Sequence, residues 1–266
     1  MISYREIINS FRVLGLNDRQ PVIVHASLAS IGEIRGGGET LVGALVAITR
    51  GVMAPTFTYK TMVTPETGPA DNAIIYGTGK DKNRLAEFFH PDMPADPMMG
   101  TLPEIIRKLP EARRSSHPIL SFAGIHVDEA LQLQSLEEPL APIGKLAEQN
   151  GVVLLIGVNH TVNTSIHYFE RLAGRKQFVR WALTPQGVRQ CPGFPGCSDG
   201  FEQAAAHLEP ITRTTRLGSA TLRAVPLEGM SHILVNLVRE QPQALLCSKD
   251  DARCATIRQL LQTQYN

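Results

Sequence analysis

VVLLIGVNHTVNTSIHYFERL, residues 152–172, holds the clearest strand in the chain and the helix that follows it. Val152 to Val158 is continuously apolar and rich in β-formers, which predicts an interior strand. The polar turn after it offers Asn163, Thr164 or Ser165 as the N-cap of the next helix. A buried strand that runs through a polar turn into a helix indicates an α/β protein.

A second strand, loop and helix of this kind lies near the start of the chain. Residues 21–24 form an apolar run that predicts a buried strand, and His25 begins the polar loop after it. Gly36 to Gly38 then open an apolar helix. Because free backbone N–H groups and the helix dipole face such a loop, this arrangement is a recurrent anion site. No repeat, low-complexity tract or clean linker divides the chain, so we expect residues 1–266 to form a single domain.

Composition narrows the class of protein. The 266 residues are 43% hydrophobic and 19% charged, enough to bury a full core. The 26 basic and 25 acidic side chains give a formal charge of +1, which argues against nucleic acid as a partner. The start of the chain has no apolar signal core, and no apolar run reaches the roughly 18 residues of a membrane span. We therefore expect a cytoplasmic protein without a membrane partner.

Four cysteines all lie in the C-terminal third, as Cys191 and Cys197 in a C-x5-C pair and Cys247 and Cys254 in a C-x6-C pair. Four thiolates are the ligand set of a tetrahedral structural zinc, although zinc knuckles commonly use shorter spacings. Disulfides are disfavoured in a reducing compartment. Structural zinc and plain reduced thiols both stay open.

His167 and Glu170 are the strongest candidates for chemistry. Three positions apart on a helix, they share one face, and a carboxylate beside an imidazole orients it as a general base. A solvated helix face explains the spacing equally well. The functional interpretation is favoured because the pair follows a strand's carboxyl end, where open α/β sheets bind ligands. His25 also follows a strand, but a lone histidine there is more often structural.

Five separated segments resemble the aminoglycoside 3-N-acetyltransferase family in order and spacing. They are HASLASIGEIRGGGETLVGAL (25–45), APTFTY (54–59), MMGTLPEIIRKLPEARRSSHPILSFAG (98–124), EPLAPIGKL (138–146) and LLIGVNHTVNTSIHYFE (154–170). The resemblance implies the antibiotic N-acetyltransferase fold, a three-layer α/β/α protein with a central mixed sheet, unrelated to the GNAT acetyltransferases. It also implies acetyl-CoA as co-substrate.

Roles for individual residues follow from the resemblance at the matched positions. His167 and Glu170 match the family's pair at the substrate amine, and Thr164 and Asn163 match the turn beside the thioester. The residues expected at the coenzyme A site are His25, Ser27, Leu28, Ser30, Gly36, Gly37, Gly38, Arg114, Ser116 and His117.

The implied reaction acetylates the 3-amino group of a 2-deoxystreptamine aminoglycoside and confers antibiotic resistance. His167, oriented by Glu170, takes the amine's proton, and Thr164 or backbone N–H groups stabilise the oxyanion. Direct transfer is expected because no cysteine accompanies these motifs. Asp71 and Asp199 are candidates for contacting the polycationic acceptor, and the protein is expected to be a monomer or homodimer.

Other functions stay open on the acceptor side. Phe89-His90-Pro91 stands where resistance enzymes of this family usually read FDP, which weakens the aminoglycoside assignment more than the acyl-CoA assignment. The alternatives are another amine metabolite, another acyl-CoA, or a noncatalytic coenzyme A-binding protein. A serine hydrolase is disfavoured because the chain has no G-x-S-x-G turn.

Overall fold

The computed structural model describes residues 1–248 and 250–264. The helices are α1 (Tyr4–Val13), α2 (Leu28–Ile31), α3 (Gly37–Ile48), α4 (Lys80–Asn83), α5 (Leu102–Arg107), α6 (Asp128–Gln132), α7 (Ala141–Glu148), α8 (Thr164–Leu172), α9 (Ala204–Leu208), α10 (Leu227–Glu240) and α11 (Ala252–Gln264). The strands are β1 (Pro21–Ala26), β2 (Gly51–Pro55), β3 (Met62–Val63), β4 (Arg113–Arg114), β5 (Phe122–Ile125), β6 (Val152–Ile156), β7 (Phe178–Thr184), β8 (Gly187–Phe194), β9 (Arg213–Leu217) and β10 (Ala220–Pro226). Within the described ranges, no helix combines the length and apolar character needed to cross a membrane.

Seven strands form the central sheet, in the order β4-β5-β2-β1-β6-β10-β9. β1 runs parallel to β2 on one side and to β6 on the other. The four outer pairings are antiparallel, so the sheet is mixed, as expected. β3, β7 and β8 form a separate three-stranded antiparallel sheet.

Both faces of the central sheet are covered by helices, and the inner strand β6 is apolar at every position. In β6, Val153 and Leu155 belong to a buried cluster that includes Phe169 of α8. Val152 and Leu154, which alternate with them, belong to a second cluster with residues of α1, α3 and α5. A strand buried on both faces reads as an unbroken apolar run. The three-layer α/β/α fold is confirmed.

Two strands are only two residues long. Met62 and Val63 pair with Ala182 and Trp181 of β7. Arg113 and Arg114 form the edge strand β4 against β5. Strands this short carry no periodicity of their own and form only because a distant segment offers them a pairing edge.

Candidate active site

The loops after β1 and β6 meet at one edge of the sheet. The two strands are parallel neighbours, so their carboxyl ends lie side by side. The backbone N–H of Ser27 donates to the carbonyl of Ile156 at 3.0 Å. Gly157 has a φ of +63°, and a Cβ there would lie 1.7 Å from Ser30 Oγ. Glycine at position 157 therefore allows the two loops to approach each other.

Asn163 is the residue that caps α8. Its Oδ1 accepts a hydrogen bond from the Ser165 N–H at 3.1 Å, and its Nδ2 lies 3.2 Å from His160 Nδ1. The side chain is fully buried. Both ends of the amide are thus engaged within the protein and fix where α8 begins. The substrate-binding role expected for Asn163, in the turn beside the thioester, stays a prediction.

Helix α8 carries a buried chain of polar contacts. His167 Nδ1 lies 3.4 Å from Glu170 Oε2, and Arg175 Nε donates to Glu170 Oε1 at 3.1 Å. The side chains of Glu170 and Arg175 are 4% and 3% exposed. The edge of Phe201 packs against the His167 ring at a centroid distance of 4.5 Å. The carboxylate is therefore shared between an imidazole and a guanidinium in a site with little access to water.

Arg175 reaches Glu170 because of the way α8 ends. The N–H of Arg175 donates to the Glu170 carbonyl at 3.0 Å, and that of Gly174 donates to the Arg171 carbonyl at 3.0 Å. These two bonds, with Gly174 at a φ of +92°, form a Schellman turn. The guanidinium also donates to the carbonyls of Pro242 and Ala244. The turn thus ties the carboxylate to the segment after α10.

A cavity of about 680 Å³ lies at this edge of the sheet, in the usual size range of small-molecule sites. One side, which we call the strand-end wall, consists of His25, Ser27, Thr164 and His167. A second group of lining residues, which we call the C-terminal wall, consists of residues 194–199, Asp251 and Arg253. Aromatic and apolar side chains from residues 55–59 and 97–103 also contribute to the lining.

The structure divides the residues expected at the site into two groups. The cavity is lined by His25, Ser27, Asn163, Thr164, His167 and Asp199. Glu170 lies behind His167, whereas the expected residues outside the lining are Leu28, Ser30, Gly36, Gly37, Gly38, Asp71, Arg114, Ser116 and His117. Burial and the neighbouring His160 lower the pKa of His25 to about 3, so its imidazole is neutral at the cavity surface.

Arg114 has a structural role that the sequence did not reveal. Its guanidinium donates to Ser121 Oγ at 3.1 Å and to the carbonyls of Thr56 (2.8 Å), Pro91 (2.9 Å) and Met93. These four contacts use most of its donor capacity. Arg114 therefore ties the 91–93 loop to the sheet and has little left to offer a phosphate.

His117 and the glycine-rich turn also have local structural explanations. His117 Nδ1 accepts from the N–H groups of Ile119 and Leu120, and burial lowers the pKa of the ring to about 4. At Gly38, a Cβ would lie 2.4 Å from Ile105 Cδ1 and 2.8 Å from Leu28 Cδ1. The ring shapes the 117–120 turn, and the glycine lets α3 pack closely against α5. Binding roles for both stay predictions.

The sequence analysis named Cys197 and Asp199 separately, but it did not group residues 194–199 with Asp251 and Arg253 as one wall of the site. No local motif marks residues 194–199 or Arg253, because they reach the cavity through long-range packing. Arg253 donates to the Gly196 carbonyl at 3.0 Å and contacts Asp251 at 3.3 Å. Cys197 lines the cavity, although no cysteine accompanies the sequence motifs that supply the expected reacting groups.

The cysteines do not form the four-residue set considered from the sequence. The sulfur atoms of Cys197, Cys247 and Cys254 lie within 4.8 Å of one another, and all three residues are buried. Cys191 lies outside this group, on β8, with its Sγ 3.8 Å from the Arg189 carbonyl. Cys191 and Cys197 are close in sequence, but Cys191 lies on β8, and its side chain is not part of the group of three.

Comparison with known proteins gives a consistent result. The family model for aminoglycoside 3-N-acetyltransferases matches residues 23–239. Aminoglycoside N(3)-acetyltransferase III of Salmonella sp is 27% identical over 236 residues, which cover 77% of this chain and 79% of the relative.

Solved structures show the same fold. The aminoglycoside acetyltransferase AAC(3)-IVa superposes with a TM-score of 0.78 at 22% identity, over 97% of each chain. A mutant of that enzyme in complex with a gentamicin gives 0.76 at 21% identity, again over 97% of each chain. AAC-IIIb with bound CoASH gives 0.73 at 20% identity, over 90% of this chain and 97% of that one. The family resemblance, the fold and the acyltransferase class expected from the sequence are confirmed.

Proposed function

Because the chain belongs to the aminoglycoside 3-N-acetyltransferase family, we propose that it transfers the acetyl group of acetyl-CoA to the 3-amino group of a 2-deoxystreptamine aminoglycoside. A solved relative is described with CoASH and another with a gentamicin, which supports the two substrates. The observation that carries the proposal is His167 in the cavity wall, with the buried carboxylate of Glu170 behind it. Such an enzyme would confer resistance to the antibiotic.

His167 is the general base of the proposed reaction. Its Nδ1–H donates to Glu170 Oε2, so Nε2 is the nitrogen left to accept a proton. The amine attacks the thioester carbonyl carbon as Nε2 takes the amine proton, and a C–N bond forms. Collapse of the tetrahedral intermediate breaks the C–S bond, and the imidazolium returns its proton to the departing thiolate. Glu170 positions the ring and stabilises its charged form.

The first turn of α8 supplies the oxyanion site in this proposal. Thr164 is the first residue of the helix, lines the cavity and lies one turn before His167. The positive end of the helix dipole favours a developing negative charge at this position. The side chain and backbone of Thr164 thus lie on the same side of the cavity as the base.

Direct transfer between the two substrates agrees with the state of Cys197. This thiol lines the cavity, and burial raises the pKa of the metal-free thiol to about 12, which makes it a poor nucleophile. An acetyl-enzyme would release free CoA when acetyl-CoA is mixed with enzyme in the absence of amine. We expect no such burst, and one equivalent of thiol released per chain would contradict direct transfer.

In this proposal the acceptor binds in the cavity, in contact with both walls. Asp199 is a carboxylate of the C-terminal wall and can contact an ammonium group of the acceptor. Asp71 is exposed in the 64–79 loop and stays a more remote candidate. We expect acetyl-CoA, the acetyl donor, to contact His25 and Ser27, which line the cavity in the strand-end wall.

The test is thiol release from acetyl-CoA with a panel of 2-deoxystreptamine aminoglycosides, followed by NMR assignment of the acetylated nitrogen. We expect release with at least one compound and acetylation at N3. Release only with unrelated amines would replace the acceptor and keep the chemistry. No release with any amine would contradict the proposal.

A further inference from the structure

Three buried thiols meet beside the cavity although they come from three separate parts of the chain. Cys197 belongs to the C-terminal wall, Cys247 follows α10, and Cys254 lies in the first turn of α11. Their sulfur atoms lie within 4.8 Å of one another, and their relative exposures are 7%, 0% and 0%. None of the three takes part in the proposed acetyl transfer.

The local backbone holds these residues in place. Asp251 accepts the N–H groups of Arg253 at 2.9 Å and Cys254 at 3.1 Å, which fixes the start of α11. The N–H of Asp199 lies 3.4 Å from Cys197 Sγ. Arg258 of α11 donates to the Cys247 carbonyl. Each thiol is thus attached to a backbone segment whose course is set by neighbouring hydrogen bonds.

We propose that Cys197, Cys247 and Cys254 bind one zinc ion through three thiolates. Zinc prefers tetrahedral thiolate sites with Zn–S bonds of about 2.3 Å, which place sulfurs about 3.8 Å apart. The observed separations need only a small contraction to reach this arrangement. Binding releases the three thiol protons to solvent as the thiolates form.

The ion would join the C-terminal wall to the end of the chain. Cys247 follows directly after the segment whose carbonyls, at Pro242 and Ala244, hold the guanidinium of Arg175. Cys197 lies in the wall itself. One ion would therefore stabilise both the C-terminal wall and the segment whose carbonyls hold Arg175, the partner of Glu170. This role is structural and does not depend on which acceptor the enzyme uses.

The test measures zinc by mass spectrometry in protein purified under reducing conditions with a tag that does not bind metals. Cys247→Ser removes one proposed ligand, and Cys191→Ser is the matched control, a buried cysteine outside the group. We expect about one zinc per chain in wild type and Cys191→Ser, and less than about a fifth of that in Cys247→Ser. Zinc-free wild type, or equal zinc in both variants, would overturn the proposal.

A second measurement, on wild-type protein, tests the site even if the Cys247→Ser variant does not fold. Wild-type protein, stripped of metal and loaded with Co²⁺, is expected to show the near-ultraviolet charge-transfer band of thiolate-bound cobalt. Absence of that band, or a disulfide between two of the three cysteines under the same reducing conditions, would overturn the site. Neither readout depends on acetyl transfer, so failure of the zinc site is distinguishable from failure of the proposed function.

Discussion

The two walls of the cavity are built in different ways. The strand-end wall comes from loops that directly follow β1 and β6, and its position follows from two parallel strands that end together. The C-terminal wall comes from residues 194–199 and 251–253, which are far apart in sequence and meet through hydrogen bonds and buried thiols. In the proposed reaction the first wall carries the reacting groups, and the second wall lines the same cavity.

The largest stability effect is expected behind the strand-end wall, at the buried Arg175–Glu170 pair. Arg175→Met leaves the Glu170 carboxylate buried without its partner and frees two carbonyls, so we expect a loss of about 3–5 kcal/mol in unfolding free energy. Chemical denaturation of wild type and variant measures this loss of unfolding free energy.

Arg171→Met is the matched control for this variant. Arg171 lies on the same helix but pairs with Glu138 near the surface, where its side chain is 27% exposed. Surface pairs contribute about 0–1 kcal/mol, so we expect a small effect. Equal losses in the two variants would contradict the buried anchor.

A smaller effect concerns His25 in the strand-end wall. The pKa of His25 is about 3 in the folded protein against 6.5 for an ordinary histidine. Below pH 6.5 the unfolded chain binds a proton that the folded protein does not, so stability falls as pH decreases. The loss from this group reaches about 2 kcal/mol at pH 5.

Replacing His25 by glutamine should therefore flatten the dependence of unfolding free energy on pH between about 7 and 5. His207→Gln, at an exposed position, serves as the control and should keep the wild-type slope. If His25→Gln keeps the wild-type dependence of unfolding free energy on pH, His25 takes up a proton in the folded protein as it does in the unfolded chain. That result would contradict a neutral imidazole at the cavity.

The smallest effect is expected where α3 packs against α5, at Gly38. Gly38→Ala places a methyl group against Ile105 and Leu28, whose side chains must shift, so we expect a loss of about 1 kcal/mol. Gly43→Ala on the same helix meets nothing within 4 Å and should stabilise by up to about 1 kcal/mol. Opposite signs in thermal unfolding would support the close contact of α3 with α5, and equal signs would contradict it.

The sequence predicted the parts of the site that depend on local rules. A strand that begins at Val152, an N-cap among residues 163–165 and the shared face of His167 and Glu170 all follow from periodicity and helix geometry, and the structure places the cap at Asn163. They were predictable because each involves residues no more than a few positions apart.

The remaining features depend on contacts across the chain. Arg175 follows a glycine that marks a helix end, but nothing local shows that its guanidinium meets carbonyls near residue 243. Arg114 was expected to bind phosphate because its motif matched, yet its four partners lie on three other segments. The grouping of Cys197 with Cys247 and Cys254, without Cys191, is of the same kind.

The most direct test of the account is the turnover number of His167→Ala in the thiol-release assay at saturating acetyl-CoA and amine. Exposed His207→Ala is the control, and circular dichroism checks that both variants fold. We predict that His167→Ala lowers kcat by ~10²–10⁴, the contribution of a general base, while His207→Ala leaves it unchanged. A folded His167→Ala enzyme within a few-fold of wild-type kcat would contradict the claim that the strand-end wall carries the chemistry.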